Sequence, residues 1–175
     1  MKQIDTKKWV EFPIGGAQGL FKVVKGKRLT KADMQDGEIN YIGASAMNNG
    51  ITAKISNNTF LHPANTITVT YNGSIGEAFY QEEPFWASDD VNVLYPKFHL
   101  TKHIAMFMIP LIRAKGQRYA FIDKWTKDLM EESCLLLPAK VNGKPDFAYM
   151  ERFMKAIERH VESVVALLVK TDNSL

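Results

Sequence analysis

A single cysteine, Cys134, among 175 residues excludes an internal disulfide and any Cys-rich metal site. That scarcity fits a reducing compartment, and a cytoplasmic protein is expected. No run approaches the roughly 18 consecutive apolar residues that a membrane helix needs. The start, Met1-Lys2-Gln3-Ile4-Asp5, lacks the apolar core of an export signal, so neither membrane nor export is expected. The four histidines, His62, His99, His103 and His160, form no His-Glu-x-x-His motif. No metal and no cofactor are expected.

Catalytic sets are missing as well. Cys134 stands before Leu135-Leu136-Leu137 with no histidine nearby, the setting of a buried thiol rather than a nucleophile. Gly15-Gly16-Ala17-Gln18-Gly19 lacks the preceding strand, the following helix and the Lys-Ser/Thr of a phosphate loop, and reads as a flexible turn before Leu20. Asp89-Asp90 are adjacent, so in a strand they point to opposite faces and cannot share a metal; a turn or strand start is expected. There is no Asn/Asp-Pro-Pro-Tyr/Phe sequence for adenine methylation and no nuclease-like acidic pair with a lysine, so no catalytic residue is assigned.

What is present is globular: 46% apolar and 23% charged residues, enough for one core. Lys and Arg number 22 against 19 Asp and Glu, giving only +3, but the sum hides blocks. Residues 1–60 carry nine basic and five acidic groups, residues 61–100 one and five, residues 101–145 eight and four, and residues 146–175 four and five. Two basic segments bracket an acidic one. Folded onto one surface, with the acidic segment behind, they would suit a phosphate backbone; scattered, they are solvated charge.

Short strands are expected at Phe21–Val24, Tyr41–Ala44, Ile51–Ile55, Thr66–Tyr71, Ile75–Tyr80 and Val91–Tyr95. In the fourth, Ile67, Val69 and Tyr71 alternate with three threonines, as in a half-buried strand. Asn72-Gly73 then predicts a tight turn and an antiparallel return. Thr101 caps a buried helix over about 101–115, which Pro110 should kink or end early. Cys134–Pro138 reads as a short buried strand and Asn142-Gly143-Lys144-Pro145 as a turn. The fold class is α+β: a mixed, mostly antiparallel twisted sheet with packed helices, then a long coiled-coil-like C-terminal helix.

That helix shows a seam: Phe147, Met150, Met154, Ile157, Val161, Val164 and Leu168 recur at alternating spacings of three and four. Pro145 and Asp146 suit its start. The seam either packs on the chain's own sheet or pairs with another subunit, since periodicity names no partner. The division expected is residues 1–145 as a domain and 146–175 as a pairing and spacing helix.

Lys22, Lys25, Lys27, Arg28 and Lys31 place five cations within ten residues, a loop able to touch several phosphates. Ser45, Asn48 and Asn49 follow, and asparagine can bridge the N6 and N7 of adenine. Asn48-Asn49-Gly50 is equally suited to a plain turn before Ile51, and the residues leave both open.

The stretch Phe21-Lys22-Val23-Val24-Lys25-Gly26-Lys27-Arg28-Leu29-Thr30-Lys31-Ala32-Asp33 resembles the target recognition domain of restriction-modification specificity subunits of the type I and type IIB kinds. So do Tyr41-Ile42-Gly43-Ala44-Ser45, Asn48-Asn49-Gly50-Ile51, Tyr71-Asn72-Gly73-Ser74-Ile75-Gly76 and Phe85-Trp86-Ala87-Ser88-Asp89-Asp90-Val91, with a long helix after them. The similarity covers about residues 9–170. It implies a non-catalytic subunit that reads one half of a split double-stranded DNA target while methyltransferase and restriction subunits supply the chemistry. The DNA-contacting set it implies is Lys22, Lys25, Lys27, Arg28, Lys31, Ser45, Asn48, Asn49, Lys54, Tyr71, Asn72 and Ser74.

Specificity subunits of this kind carry two recognition domains and two long helices, whereas one set is present here. The chain therefore reads as a half-subunit, and the seam suggests a homodimer reading a palindromic split site. The rival class is a small enzyme or ligand-binding domain with a pocket between the sheet and the 101–115 helix, which would need convergent titratable groups.

Overall fold

The computed structural model describes residues 4–119 and 122–172. In chain order the elements are β1 (Trp9–Pro13), β2 (Phe21–Lys25), β3 (Asp36–Ile42), a 3-10 turn (Asn48–Gly50), β4 (Ile51–Ile55), β5 (Thr66–Thr70), β6 (Ala78–Gln81), β7 (Phe85–Ala87), β8 (Val91–Pro96), α1 (Lys102–Gly116), α2 (Lys127–Glu132), β9 (Cys134–Pro138) and α3 (Phe147–Asp172). The class is the α+β one expected. The strands make three sheets rather than one: β2-β8-β5-β6, β4-β3-β7 and β1-β9. Pairing is antiparallel except between β3 and β7.

The four-stranded sheet is covered on both faces. On one, Phe21, Val23, Ile67, Val69 and Leu94 pack with Ile104, Met108 and Ile112 of α1 and with Leu135, Leu137 and Met150. On the other, Val91 and Val93 meet Ile42, Phe85 and Ala87 of the three-stranded sheet. Thr66, Thr68 and Thr70 are therefore buried, not solvated as strict alternation suggested, and each hydroxyl donates to a carbonyl, of Pro63, Phe79 and Ser74 respectively. Alternation marks two different environments and does not say that one of them is water.

β5 and β6 run antiparallel as expected, with Val69 opposite Ala78, but the connection is longer than a two-residue turn. The left-handed positions are Gly73 and Gly76 (φ 70° and 82°), not Asn72. Position 76 requires glycine on two grounds, its left-handed φ and its backbone lying against Gly116, where a Cβ would stand 2.7 Å from the Gly116 Cα.

Thr101 caps α1 by accepting from the Ile104 amide (3.3 Å). The helix runs through Pro110 to Gly116, since buried Ile112 and the Gly76–Gly116 contact hold the last turn in place. α3 lies antiparallel to α1, with Phe107 against Tyr149 and Phe153, and the His103 ring 2.8 Å from the Glu158 carboxylate. Asp146 accepts from the Tyr149 amide at its start (3.0 Å).

The glycine-rich stretch before Leu20 is pinned. Gly15 donates to Glu131 and lies against it too closely for a Cβ, and Lys97 donates to the Gly16 carbonyl (2.6 Å). Among the described residues no helix is long and apolar enough to cross a membrane.

Candidate nucleic-acid interface

Four connections meet at the end of the two larger sheets where β2 finishes and β8 begins: residues 26–30, 43–50, 71–77 and 88–90. Backbone bonds knit them together. Gly26 donates to Val91, Lys27 to Ala87, Ser88 to Ile42 and Tyr71 to Asp90, all within 3.1 Å. Gly26 lies so close to Ser88 that a Cβ would fall 2.1 Å from its carbonyl oxygen, and Gly73 packs on Ala44. The sequence alternates strand and loop in a way that returns each connection to this end.

Side chains complete the cluster. The Tyr71 hydroxyl donates to the Asp89 carbonyl (2.5 Å), and the Asn72 amide donates to the Asp90 carboxylate (2.7 Å). Trp86 donates from its indole N–H to the Lys27 carbonyl (2.7 Å). The Lys25 ammonium stands 5.2 Å from the Tyr71 ring centroid, and that of Lys27 stands 3.4 Å from the Phe60 ring. Phe60 rests edge-on against Trp86. The Lys25 pKa is raised above the ordinary lysine value, first by the Tyr71 hydroxyl and then by the nearby charges of Asp89 and Asp90. Lys25, Lys27 and Arg28 are exposed. Arg28 makes a 3.7 Å ion pair with Asp89 in which its side chain stays 75% exposed, a pair of small energetic weight.

Of the residues singled out by sequence, Lys25, Lys27, Arg28, Ser45, Asn48, Tyr71, Asn72 and Ser74 lie in this cluster. Others do not. Lys22 sits opposite Tyr95 at the far end of β2. Lys54, opposite Asn40 on β4, donates to the Glu38 carbonyl (3.1 Å). Lys31 is exposed in a turn closed by the Thr30 hydroxyl on the Asp33 carboxylate. Asn49 is committed within the fold: its amide donates to the Tyr80 carbonyl (3.2 Å) and the Gln81 side chain (3.3 Å), and Gln81 donates back to its carbonyl. Asn48 and Asn49 are left-handed (φ 50° and 53°), so the segment forms a turn, as both readings of it require.

The acidic segment does not lie behind a basic face. Glu77 pairs with Arg113 (3.3 Å), Glu82 with Lys102 (3.1 Å) and Asp89 with Arg28, so it interleaves with both basic segments. Opposite charges from segments far apart in the chain fold into pairs rather than blocks. The sequence reading missed the end of α1, which the Gly76–Gly116 contact brings beside the 71–77 connection and which carries exposed Gln117 and Arg118. Arg113, also on this turn, spans from the Ala78 carbonyl (2.9 Å) to Glu77. A basic last turn on an otherwise apolar helix was the available signal.

The seam of α3 is divided. Phe147 stacks on Phe98 (4.1 Å), Met150 is fully buried in the chain's own core, Met154 packs against that core, and Ile157 lines a groove against Met106 of α1. Val161, Val164 and Leu168 are 52%, 41% and 61% exposed. The expected pairing seam is thus spent on α1 in its first half, because α1 offers an equally apolar face. Beyond Glu158, where α1 begins, the helix extends about 21 Å further at 1.5 Å per residue.

An open cleft lies between β6 and α1, lined by Phe79, Tyr80, Met106, Ile109 and Arg113. Glu82 and Lys102 at its rim neutralise each other. Among the described residues no group of three His, Cys, Asp or Glu is placed to hold a metal.

A model of the type I restriction modification DNA specificity domain matches residues 6–166. The type II restriction enzyme specificity subunit S.BcgI of Heyndrickxia coagulans is 36% identical over 162 residues, covering 92% of this chain and 47% of that protein. The S subunit of a type I restriction-modification system from M. genitalium has a similar fold: TM-score 0.61 at 16% identity, over 95% of this chain and 44% of the other. The HsdS subunit of Thermoanaerobacter tengcongensis gives 0.62 at 12% identity, over 94% and 40%. The chain spans about half the length of the curated relative it matches.

Proposed function

Because the chain belongs to the family of type I restriction modification DNA specificity domains, we propose that it reads one half of a split duplex target through the four-connection end of its sheets. It performs no catalysis in this reading. Methyltransferase and restriction subunits supply the chemistry, and this chain directs them.

The observation that carries the reading is that Lys25, Lys27 and Arg28, exposed at the end of β2 and in the connection after it, stand beside the connections that carry Tyr71 and, through the Gly73–Ala44 contact, Ser45 and Asn48. Cations held on a rigid rim suit phosphates, and short polar side chains between them suit base edges. The exposed Gln117 and Arg118 extend the same end.

The exposed part of α3 supports a second element of the proposal, association of two such recognition units. Val161, Val164, Val165, Leu167, Leu168 and Val169 present an apolar stripe beyond α1. Two units reading one split target need a fixed spacing, which a rigid helix of this length provides. In the homodimeric case the two half-sites form a palindrome.

Fluorescence anisotropy with a labelled random-sequence duplex tests the reading. Binding that weakens steeply as salt rises is expected. No binding at low salt contradicts it.

A further inference from the structure

Beside the cationic rim and the asparagines, the loop cluster exposes one large apolar side chain. Met47, at the tip of the connection between β3 and β4, is 75% exposed, and an apolar side chain of that size facing water gains nothing for the fold.

The chain nevertheless holds it firmly. The Met47 amide donates to the Ser45 hydroxyl oxygen (3.1 Å), and the Met47 carbonyl accepts from the Gly50 amide (2.9 Å). The next three residues, Asn48, Asn49 and Gly50, are all left-handed, at φ 50°, 53° and 78°. Two of them are not glycine, and the conformation persists only because the surroundings determine it. Asn48 donates to the Ile51 carbonyl (3.3 Å), Asn49 is bolted to Tyr80 and Gln81, and Gly50 packs on Ile42 and Phe79. The tip is rigid and Met47 is pushed outward from it.

Its position fits a DNA face. Ala44, three residues back, carries the packing contact with Gly73, so Met47 lies no more than about 11 Å from that contact by the reach of an extended chain. Tyr71 begins the 71–77 connection, with the Lys25 ammonium 5.2 Å from its ring centroid. Hydrogen-bonding groups read the polar edges of bases, but the C5-methyl of thymine, exposed in the major groove, is read only by apolar contact.

We infer that Met47 is a specificity-determining residue that makes apolar contact with a thymine methyl in the recognised half-site. The inference rests on the DNA-recognition reading above. A flexible thioether conforms to such a contact, and the rigid loop delivers it at a fixed position.

Site selection from duplexes with a randomised centre, run on the wild-type chain, Met47→Ala and Met47→Leu, tests it. All three should melt at the same temperature, since the side chain is in solvent. Wild type and Met47→Leu should recover one site, and Met47→Ala should recover it with a T·A position made degenerate. Affinity of Met47→Ala for the wild-type site should fall about 5- to 100-fold, the usual effect of one lost base contact. Replacing that thymine with deoxyuridine should weaken wild type and leave Met47→Ala unchanged. Recovery of the wild-type site by Met47→Ala at undiminished affinity overturns the inference, as does equal weakening of both proteins by deoxyuridine. If the wild-type chain selects no site at all, the DNA-recognition reading itself fails.

Discussion

Lys25, the last residue of β2, holds its ammonium 5.2 Å from the ring centroid of Tyr71, the first residue after β5. Two strands that are not neighbours in the four-stranded sheet, separated there by β8, are joined at their ends by this contact. The Tyr71 hydroxyl continues it to the Asp89 carbonyl in the connection leading into β8. A cation, an aromatic ring and a backbone turn thus form one unit, so in the proposed reading fold stability and DNA contact are coupled at this point.

Removing the phenolic hydroxyl should expose that coupling. Tyr71→Phe keeps the ring beneath Lys25 and loses the bond to Asp89, costing about 1 kcal/mol and lowering the melting temperature by roughly 2–4 °C. DNA affinity should fall with it. Thermal melting and anisotropy on the same sample check both halves.

Gly26→Ala should do more damage. The added methyl would meet the Ser88 carbonyl at 2.1 Å, and both partners are backbone, so the 26–30 and 88–90 connections must separate. A loss of about 1–3 kcal/mol is expected in denaturant melts. Weakened DNA binding should accompany it although glycine itself carries no charge.

Much of this arrangement is legible in the sequence and some is not. Ile51–Ile55 appears as read because a left-handed Gly50 precedes an alternating apolar run. β7, three residues long, shows no periodicity, and β1 is half exposed because it pairs only with β9, so neither strand announces itself. Lys22 and Lys25 are neighbours in a list of cations, yet strand geometry sets them near opposite ends of β2. Asn49 looked like a base reader from its chemistry, and its donors are spent on Tyr80 and Gln81. The heptad pattern of α3 was visible, but Phe147 and Met150 find their partners inside the chain, which no pattern on one helix can reveal.

Stability should decline with acid through His62. It is 7% exposed, stacked on Phe85 with its Nδ1 2.9 Å from the Tyr95 hydroxyl, and burial lowers its pKa below the ordinary value. The folded state favours the neutral ring. Its contribution is full above the unfolded pKa of about 6.5 and is lost as pH falls through the depressed folded value. Melting temperatures of the wild type should therefore drop between neutral and mildly acid pH, and His62→Gln should flatten that dependence. An unchanged slope in the variant contradicts the assignment.

The divided seam of α3 predicts two separable phenotypes. Met150→Ala opens the core and should cost about 2–5 kcal/mol. Val161→Glu with Val164→Glu leaves the core alone, should convert a dimer to a monomer by light scattering, and should lose only the concentration-dependent part of the melting temperature. A wild-type chain that is monomeric at micromolar concentration contradicts the pairing proposal.

The most direct test is the salt dependence of duplex binding by wild type and by the triple variant Lys25→Ala, Lys27→Ala, Arg28→Ala. Each phosphate contact contributes about 0.9 to the slope of log K against log salt concentration, so losing three should flatten it by roughly 2.7. A flatter slope with weaker binding at low salt is the expected result. Parallel lines of equal affinity would show that DNA does not meet the protein at the Lys25–Tyr71 end.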